Sequence, residues 1–277
     1  MMTQLSVSPL ALCFSVALVA IALIITIREK IGLEKDMLIG VGRAIVQLVV
    51  VGYALTYIIR IDRVWLTVLM VVLIIVNAAV NAAKRANGIP RAFLISLLAI
   101  ATATVVTILL LVLAGAVRFI PSQIIPISGM IAGNAMVATG LCYRAMNSAF
   151  RDQRQGILER LALGATLKQA SSQVVRESIK TGMAPTIDSA KTVGLVSLPG
   201  MMSGLIFAGI DPTKAIMYQI MVTFMLLAAT SIGSTIACYL AYPRFYNDDM
   251  QLLDPGSRAD RRTPGYRNRN MEIRRGR

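Results

Sequence analysis

The sequence predicts an all-α integral membrane protein, a polytopic bundle of about seven transmembrane helices with cytoplasmic coupling helices between the fifth and sixth. Three observations predict it. Of the 277 residues, 56% are hydrophobic, and a mean hydropathy of +0.68 lies far above that of a soluble domain. The apolar residues come in runs of about 20, the length needed to cross a hydrocarbon core roughly 30 Å thick. The 28 Lys and Arg residues are divided unevenly between the connections. No stretch is left over for a separate soluble catalytic domain.

The candidate spans are Pro9–Ile27, Met37–Ile59, Val64–Ala83, Phe93–Ala116, Ile120–Tyr143, Ile187–Ala208 and Ala215–Tyr239. The first has no basic segment before it and its positive charges follow it, so it reads as a retained helix and not as a cleaved signal. The second carries Arg43 and Gln47 four residues apart, hence on one face, and the third carries Asn77 and Asn81 in the same spacing. The fourth carries no charged residue. Pro121 and Pro126 lead the fifth, which also holds Asn134 and the pair Gly129 and Gly133, a GxxxG spacing that lets backbones approach. The sixth is the odd one. It contains Asp188 and Lys191, a Pro199-Gly200 break, the methionines Met201 and Met202, and a second GxxxG pair, Gly200 and Gly204. Charged residues near mid-membrane cost about 2.5–3.5 kcal/mol each on insertion scales, and broken helices at that depth are tolerated where they are buried in protein or line a cavity. The fifth and sixth spans are therefore expected to be kinked or interrupted and to border any cavity. In the seventh, Met217, Met221 and Met225 recur every fourth residue.

Charge orients the bundle. With the N-terminus outside, cytoplasmic segments hold 22 of the Lys and Arg residues, the outer loops hold Arg60, Arg63, Arg118 and Lys214, and Arg43 and Lys191 fall within spans. The excess of basic residues on cytoplasmic loops gives N-out, C-in. Residues 1–246 then form the transmembrane domain, with a cytoplasmic segment at 144–185. Residues 247–277 form a basic tail with Pro255, Gly256, Pro264 and Gly265, expected to be disordered and able to touch anionic membrane lipid.

Several functions are excluded. The net charge of +14 is mostly a topology signal, and without interleaved aromatic platforms it does not suggest nucleic-acid binding. The chain has no histidine, which removes the Ser-His-Asp triad and the commonest metal ligand. It has no phosphate-binding GxxxxGK[ST] loop, so it is not itself the usual ATPase, and no bound cofactor is expected. Cys13, Cys142 and Cys238 lack paired spacing and read as buried free thiols.

The polar residues inside the spans form a set. In the N-out orientation Arg43, Asn81, Asn134, Asp188 and Lys191 all lie in the inner half of the bilayer, and Asp188 is the only carboxylate within a span. They read as a polar vestibule or gate; the alternative is that Arg43 and Lys191 snorkel to the interface while the amides satisfy one another. Asp188 and Lys191, three apart, can pair directly. The methionines offer thioethers, which bind soft metals, or merely fill gaps between kinked helices. No dedicated metal-ligand spacing is present, so a metal site is left unassigned.

The segment ILERLALGATLKQASSQVVRESIKTGMAPTID reads as two short amphipathic helices with a turn near Gly164-Ala165-Thr166. It resembles the coupling motif of ABC importer permeases, in which Glu-Ala-Ala followed by a glycine docks into the ATPase. Glu159 stands one residue closer to Gly164 than in that motif, and Arg160-Leu161 replace the alanines. Glu159, Gly164, Ala165 and Thr166 are the expected coupling residues.

Four strings, VGRAIVQLVVVGYAL, IIPISGMIAGNAMVATGLCY, LALGATLKQA and DSAKTVGLVSLPGMMSGLIFAGIDPTKAIMYQIMVTFML, look like the FetB-type permease family, over about Leu5 to Tyr246. Bacterial members are described as iron exporters, and plant relatives are linked to aluminium tolerance and nucleotide-sugar transport. The resemblance implies a multi-pass permease of the bacterial inner membrane that pairs with a separate ATP-binding cassette subunit, two copies of each, with ATP used by the partner. Export of iron or another metal ion is the leading expectation. In it Asp188, Lys191 and Arg43 form the gate, and Gln47, Asn77, Asn81, Asn134, Met201 and Met202 line the path. Two alternatives stay open: transport of a nucleotide-sugar or other anionic solute, for which Arg43 and Lys191 would be the binding charges, and a membrane scaffold subunit that moves nothing.

Overall fold

The computed structural model describes residues 9–61, 63–247 and 249–253, with side chains from residue 14 onward. The elements are α1 (Pro9–Arg28), α2 (Glu34–Ile61), α3 (Val64–Lys84), α4 (Ala92–Leu113), α5 (Pro121–Asp152), α6 (Arg154–Ala162), α7 (Leu167–Thr192), α8 (Gly200–Phe207) and α9 (Pro212–Ala241), closed by a 3-10 turn at Tyr242–Phe245. Among the described residues the chain is helical, apart from isolated β-bridges in two turns. By length and composition α2, α3, α4, α5 and α9 can each cross a membrane, and the described part of α1 is a shorter apolar helix.

One expectation holds and one changes. The sixth span is interrupted, as its Pro199-Gly200 break suggested: α7 ends at Thr192, residues 193–199 form an irregular stretch, and α8 is a separate piece of 8 residues. Gly194, at φ +85°, sets the turn, and its N–H donates to the Ser197 carbonyl at 2.9 Å. Pro199 then caps α8 from an extended conformation that the preceding helix cannot continue through. The second amphipathic helix, by contrast, is not short. It is the first half of α7, which runs unbroken for 26 residues, or about 39 Å, and keeps Pro185 inside it.

The bundle is built round α5, which packs against α3, α4, α7 and α9. Hydrocarbon gives no hydrophobic drive for helices to associate, so contact depends on close van der Waals approach by small residues. Ala79 and Ala82 of α3, Ala99 and Ala103 of α4, Ala132 and Ala135 of α5, and Ala229 and Ala237 of α9 are fully buried. The close glycines are not the GxxxG pairs. A Cβ at Gly129, Gly133, Gly200 or Gly204 would meet nothing within 4 Å, whereas one at Gly182 of α7 would collide with Cys142 Sγ and sit 2.9 Å from the Ala138 carbonyl oxygen. By contrast α2 lies at the periphery against α1 and α5, with Ile58 its one buried residue.

One end of the bundle carries the extensions. Beyond Tyr143, α5 continues to Asp152, where Phe150 stacks on Phe245 with ring centroids 4.0 Å apart. Asn147 Nδ2 donates to the Ala86 carbonyl at 2.8 Å, tying the α3–α4 connection to α5. Residues 247 and 249–253, assigned above to a disordered tail, are folded here: Tyr246 and Leu252 form an antiparallel bridge, and Leu252 and Leu253 are buried. Arg154 donates to both their carbonyls, and the Tyr246 hydroxyl meets Ser171 Oγ at 2.6 Å. Burial raises the Tyr246 pKa, against the opposing effect of the Ser171 hydrogen bond. The tail from residue 254 lies outside the described residues.

Candidate functional site

Where α7 stops, a cleft of about 210 Å³ opens between the end of α7, the start of α8, α5 and α9. Its wall is largely apolar, with Thr186 and Ser189 from α7, Met130 from α5, Met201 from α8, and Gln219 and Thr223 from α9 supplying the heteroatoms. Met130 sits about 14 Å along α5 from Pro121 and Gln219 about 10 Å along α9 from Pro212, so the cleft, and with it the last turns of α7, lies nearer the α4–α5 and α8–α9 connections than the end that carries the extensions, not in the inner half expected for Asp188 and Lys191. The break positions it. An uninterrupted α7 would fill this space with its own next turns.

Gln219 is the unusual member. Its side chain is only 8% exposed, and its Oε1 accepts no hydrogen bond among the described residues. A buried carbonyl without a donor costs about 1–3 kcal/mol, so each such group in a folded protein needs a reason. Thr223 Oγ1 does not help, because it donates to the Gln219 backbone carbonyl at 2.9 Å. Sequence reading passed over Gln219. An isolated amide inside an apolar span was the available signal, the same one that singled out Asn77, Asn81 and Asn134.

The anticipated gate residues are distributed unevenly. Lys191 Nζ donates to Asp188 Oδ1 at 3.1 Å, as their spacing required, and both side chains are 68% exposed. They occupy the last turns of α7, where Ser189 and Val193 line the cleft. Met201 lies in the cleft wall and, like Met130, packs against the cluster that holds Val222 and Met225, while Met202 is half-buried. Asn81 Nδ2 donates to both the carbonyl and Oδ1 of Asn77, each at 2.8 Å, so these amides satisfy one another. Asn134 Nδ2 is spent on the Met130 carbonyl at 2.9 Å. Arg43 and Gln47 are exposed on α2, whose packing partners are α1 and α5. Within one chain, no hydrogen bond or ion pair among the described residues links Arg43 to Asp188.

The segment expected to couple has a defined geometry. Gly164, at φ +90°, turns the chain after α6, and Thr166 opens α7 with a complete capping box: its side chain accepts from the Gln169 N–H while Gln169 Oε1 accepts from the Thr166 N–H. Glu159 accepts from Gln155 on its own helix. Arg160 and Gln173 bridge α6 to α7 at 2.9 Å. Hydrogen bonds from the Gln173 and Gln153 amides hold the Glu177 carboxyl below its ordinary pKa. At the tip, Leu163 is 87% exposed. An apolar knob on a braced turn is the form a docking contact takes.

The model of an uncharacterised protein family, UPF0014, matches residues 9–246. The chain is 56% identical over 243 residues to the "Probable iron export permease protein FetB" of Escherichia coli, covering 88% of this chain and 94% of that one. It is 38% identical over 244 residues to the "UPF0014 membrane protein STAR2" of rice, covering 88% and 86% of the two chains. It is 35% identical over 238 residues to the "Protein ALUMINUM SENSITIVE 3" of Arabidopsis thaliana, covering 86% and 87%. No solved structure matches.

Proposed function

The chain belongs to the UPF0014 family, and from that premise we propose that it is the permease subunit of an ABC transporter that exports iron or another metal ion. It is a multi-pass protein of the bacterial inner membrane. A separate ATP-binding cassette subunit supplies ATP hydrolysis, and the permease works as a homodimer. The metal follows from the printed name of the relative with 56% identity.

The observation that carries this reading is the continuity of α7. One helix begins at the capped turn beside exposed Leu163, passes between α5 and α9 at Gly182, and ends in the cleft wall with Asp188 and Lys191 on its last turns. Force applied at Glu159 to Thr166 by an ATPase would reach the cleft without crossing a hinge. A second copy, meeting the peripheral α2, would give Arg43 and Gln47 the polar partners that neither has among the described residues of one chain.

Reconstitution with the partner ATPase in lipid vesicles tests the proposal. ATP-dependent flux of iron, abolished by Leu163→Asp, is the expected result. Flux of a nucleotide-sugar with no metal flux would replace the substrate class, and ATPase activity indifferent to the presence of this chain would favour a scaffold.

A further inference from the structure

We propose that the cleft where α7 ends is the membrane-embedded binding site for a reduced, soft-to-borderline metal cation, Fe(II) or Cu(I), and that it rejects hard trivalent ions. The inference rests on the metal-export reading and adds to it a site, a ligand set and an oxidation state.

The donors decide the chemistry. Met130 and Met201 bring two thioethers from α5 and α8 to the lining, and Gln219, whose buried carbonyl oxygen accepts no hydrogen bond among the described residues, borders the same cleft. Thioether sulfur selects soft ions such as Cu(I) and tolerates borderline Fe(II), while ions such as Fe(III) prefer carboxylate and other anionic oxygen. No carboxylate lines the cleft. Among the described residues no group of three or more His, Cys, Asp or Glu side chains could hold a metal. A trivalent ion stripped of water here would therefore find no charge to offset its dehydration.

The C-terminal end of α7 at Val193 and the N-terminal end of α8 at Gly200 both border the cleft, so their opposite partial charges offset each other. One further feature favours a cation of low charge. The volume of about 210 Å³ exceeds one ion, leaving room for several retained waters at roughly 30 Å³ each. Neutral ligands with retained water hold an ion weakly enough to let it go, as a transport site must. Gln219 fits this arrangement: turned toward the cleft, its oxygen, which has no donor among the described residues, takes the cargo as its partner.

The experiment is equilibrium dialysis of the full chain in lipid nanodiscs against anaerobic Fe(II), Cu(I), and Ga(III) as a redox-inert stand-in for Fe(III). Fe(II) and Cu(I) are expected to bind, and Ga(III) at least tenfold more weakly. Gln219→Leu, and separately Met130→Leu with Met201→Leu, should each lower Fe(II) binding at least tenfold, whereas Met217→Leu, at an exposed methionine outside the cleft, should leave it unchanged. X-ray absorption of the Cu(I)-loaded chain should show sulfur neighbours that the double methionine variant loses. Gln219→Met guards against a folding defect in Gln219→Leu; it should shift preference from Fe(II) toward Cu(I). Unchanged binding in the cleft variants, or Ga(III) binding as tight as Fe(II), overturns the site. If those variants also retain ATP-driven metal flux, the transport reading survives without it. If the unmodified chain neither binds nor moves metal, both fall together.

Discussion

A methyl group at position 182 would strike Cys142 Sγ and crowd the Ser234 hydroxyl at 3.1 Å. The sulfur could shift, but the Ala138 backbone carbonyl on the same side could not. Gly182→Ala is therefore expected to destabilise the bundle by about 1–3 kcal/mol, the usual cost of overpacking, seen as a lowered thermal unfolding temperature in detergent. Gly129→Ala, where nothing lies within 4 Å, should change stability by less than about 0.5 kcal/mol; equal effects would refute the distinction. The same contrast shows what single residues reveal in advance. The GxxxG spacing advertised Gly129 and Gly204, but a glycine matters where another helix arrives, and sequence does not say which helix arrives. Local pairs fared differently. Asp188 with Lys191 and Asn77 with Asn81 could be read from spacing because one helix turn brings each pair together whatever the rest of the chain does. Asp188 also has a functional test. It makes no packing contribution that its amide could not replace, so Asp188→Asn should fold normally and reduce metal flux more than tenfold. Full flux in folded protein would remove Asp188 from the gate.

At the scale of elements, the α6–α7 turn was legible and the length of α7 was not. The turn is specified by neighbours in sequence, Gly164 at positive φ and the Thr166–Gln169 box. Thr166→Ala should cost about 0.5–2 kcal/mol at this helix start, read as faster hydrogen exchange in the first turn of α7. α7 passes through Pro185, because inside a bundle the lost N–H bond can be absorbed by neighbouring helices. Nor could the C-terminal turn be foreseen: Leu252 and Leu253 are held by an arginine 98 and 99 residues away. Acid should loosen the α6 junction in a definite direction. The Glu177 pKa is lowered by the Gln173 and Gln153 amides, so its stabilising effect is present above the unfolded-state pKa and is lost as pH falls through the lower folded value. A spin-label pair across α6 and α7 should hold its distance at neutral pH and lengthen only in that acid range. In Glu177→Gln the distance should not respond to this titration; a response identical to that of the unmodified chain would exclude Glu177 as its source.

For the whole molecule, the apolar runs forecast α1 to α5 and α9, since span length is set by bilayer thickness and needs no tertiary information. The break in the sixth run was legible at Pro199, but not its start at Gly194, whose positive φ depends on the backbone it turns. Orientation is the property the fold now makes testable at one place. Asn147 bonded to Ala86, and Arg154 bonded to Leu252 and Leu253, gather the α3–α4 connection, the α5 extension, α6 and the C-terminal turn at one end. Lys84, Arg85, Arg91, Arg144, Arg151, Arg154 and Arg160 all belong to these segments, whereas the opposite connections carry Arg60, Arg63, Arg118 and Lys214. Basic residues near short loops are retained in the cytoplasm, so the gathered end should face inward. A fluorescent protein fused after Leu253 should therefore be bright and alkaline phosphatase at the same position inactive. The reverse pattern is expected for fusions in the connections at 114–120 and 208–211. Active phosphatase after Leu253 would invert the bundle, place Leu163 on the side without ATP, and remove the coupling role together with the orientation.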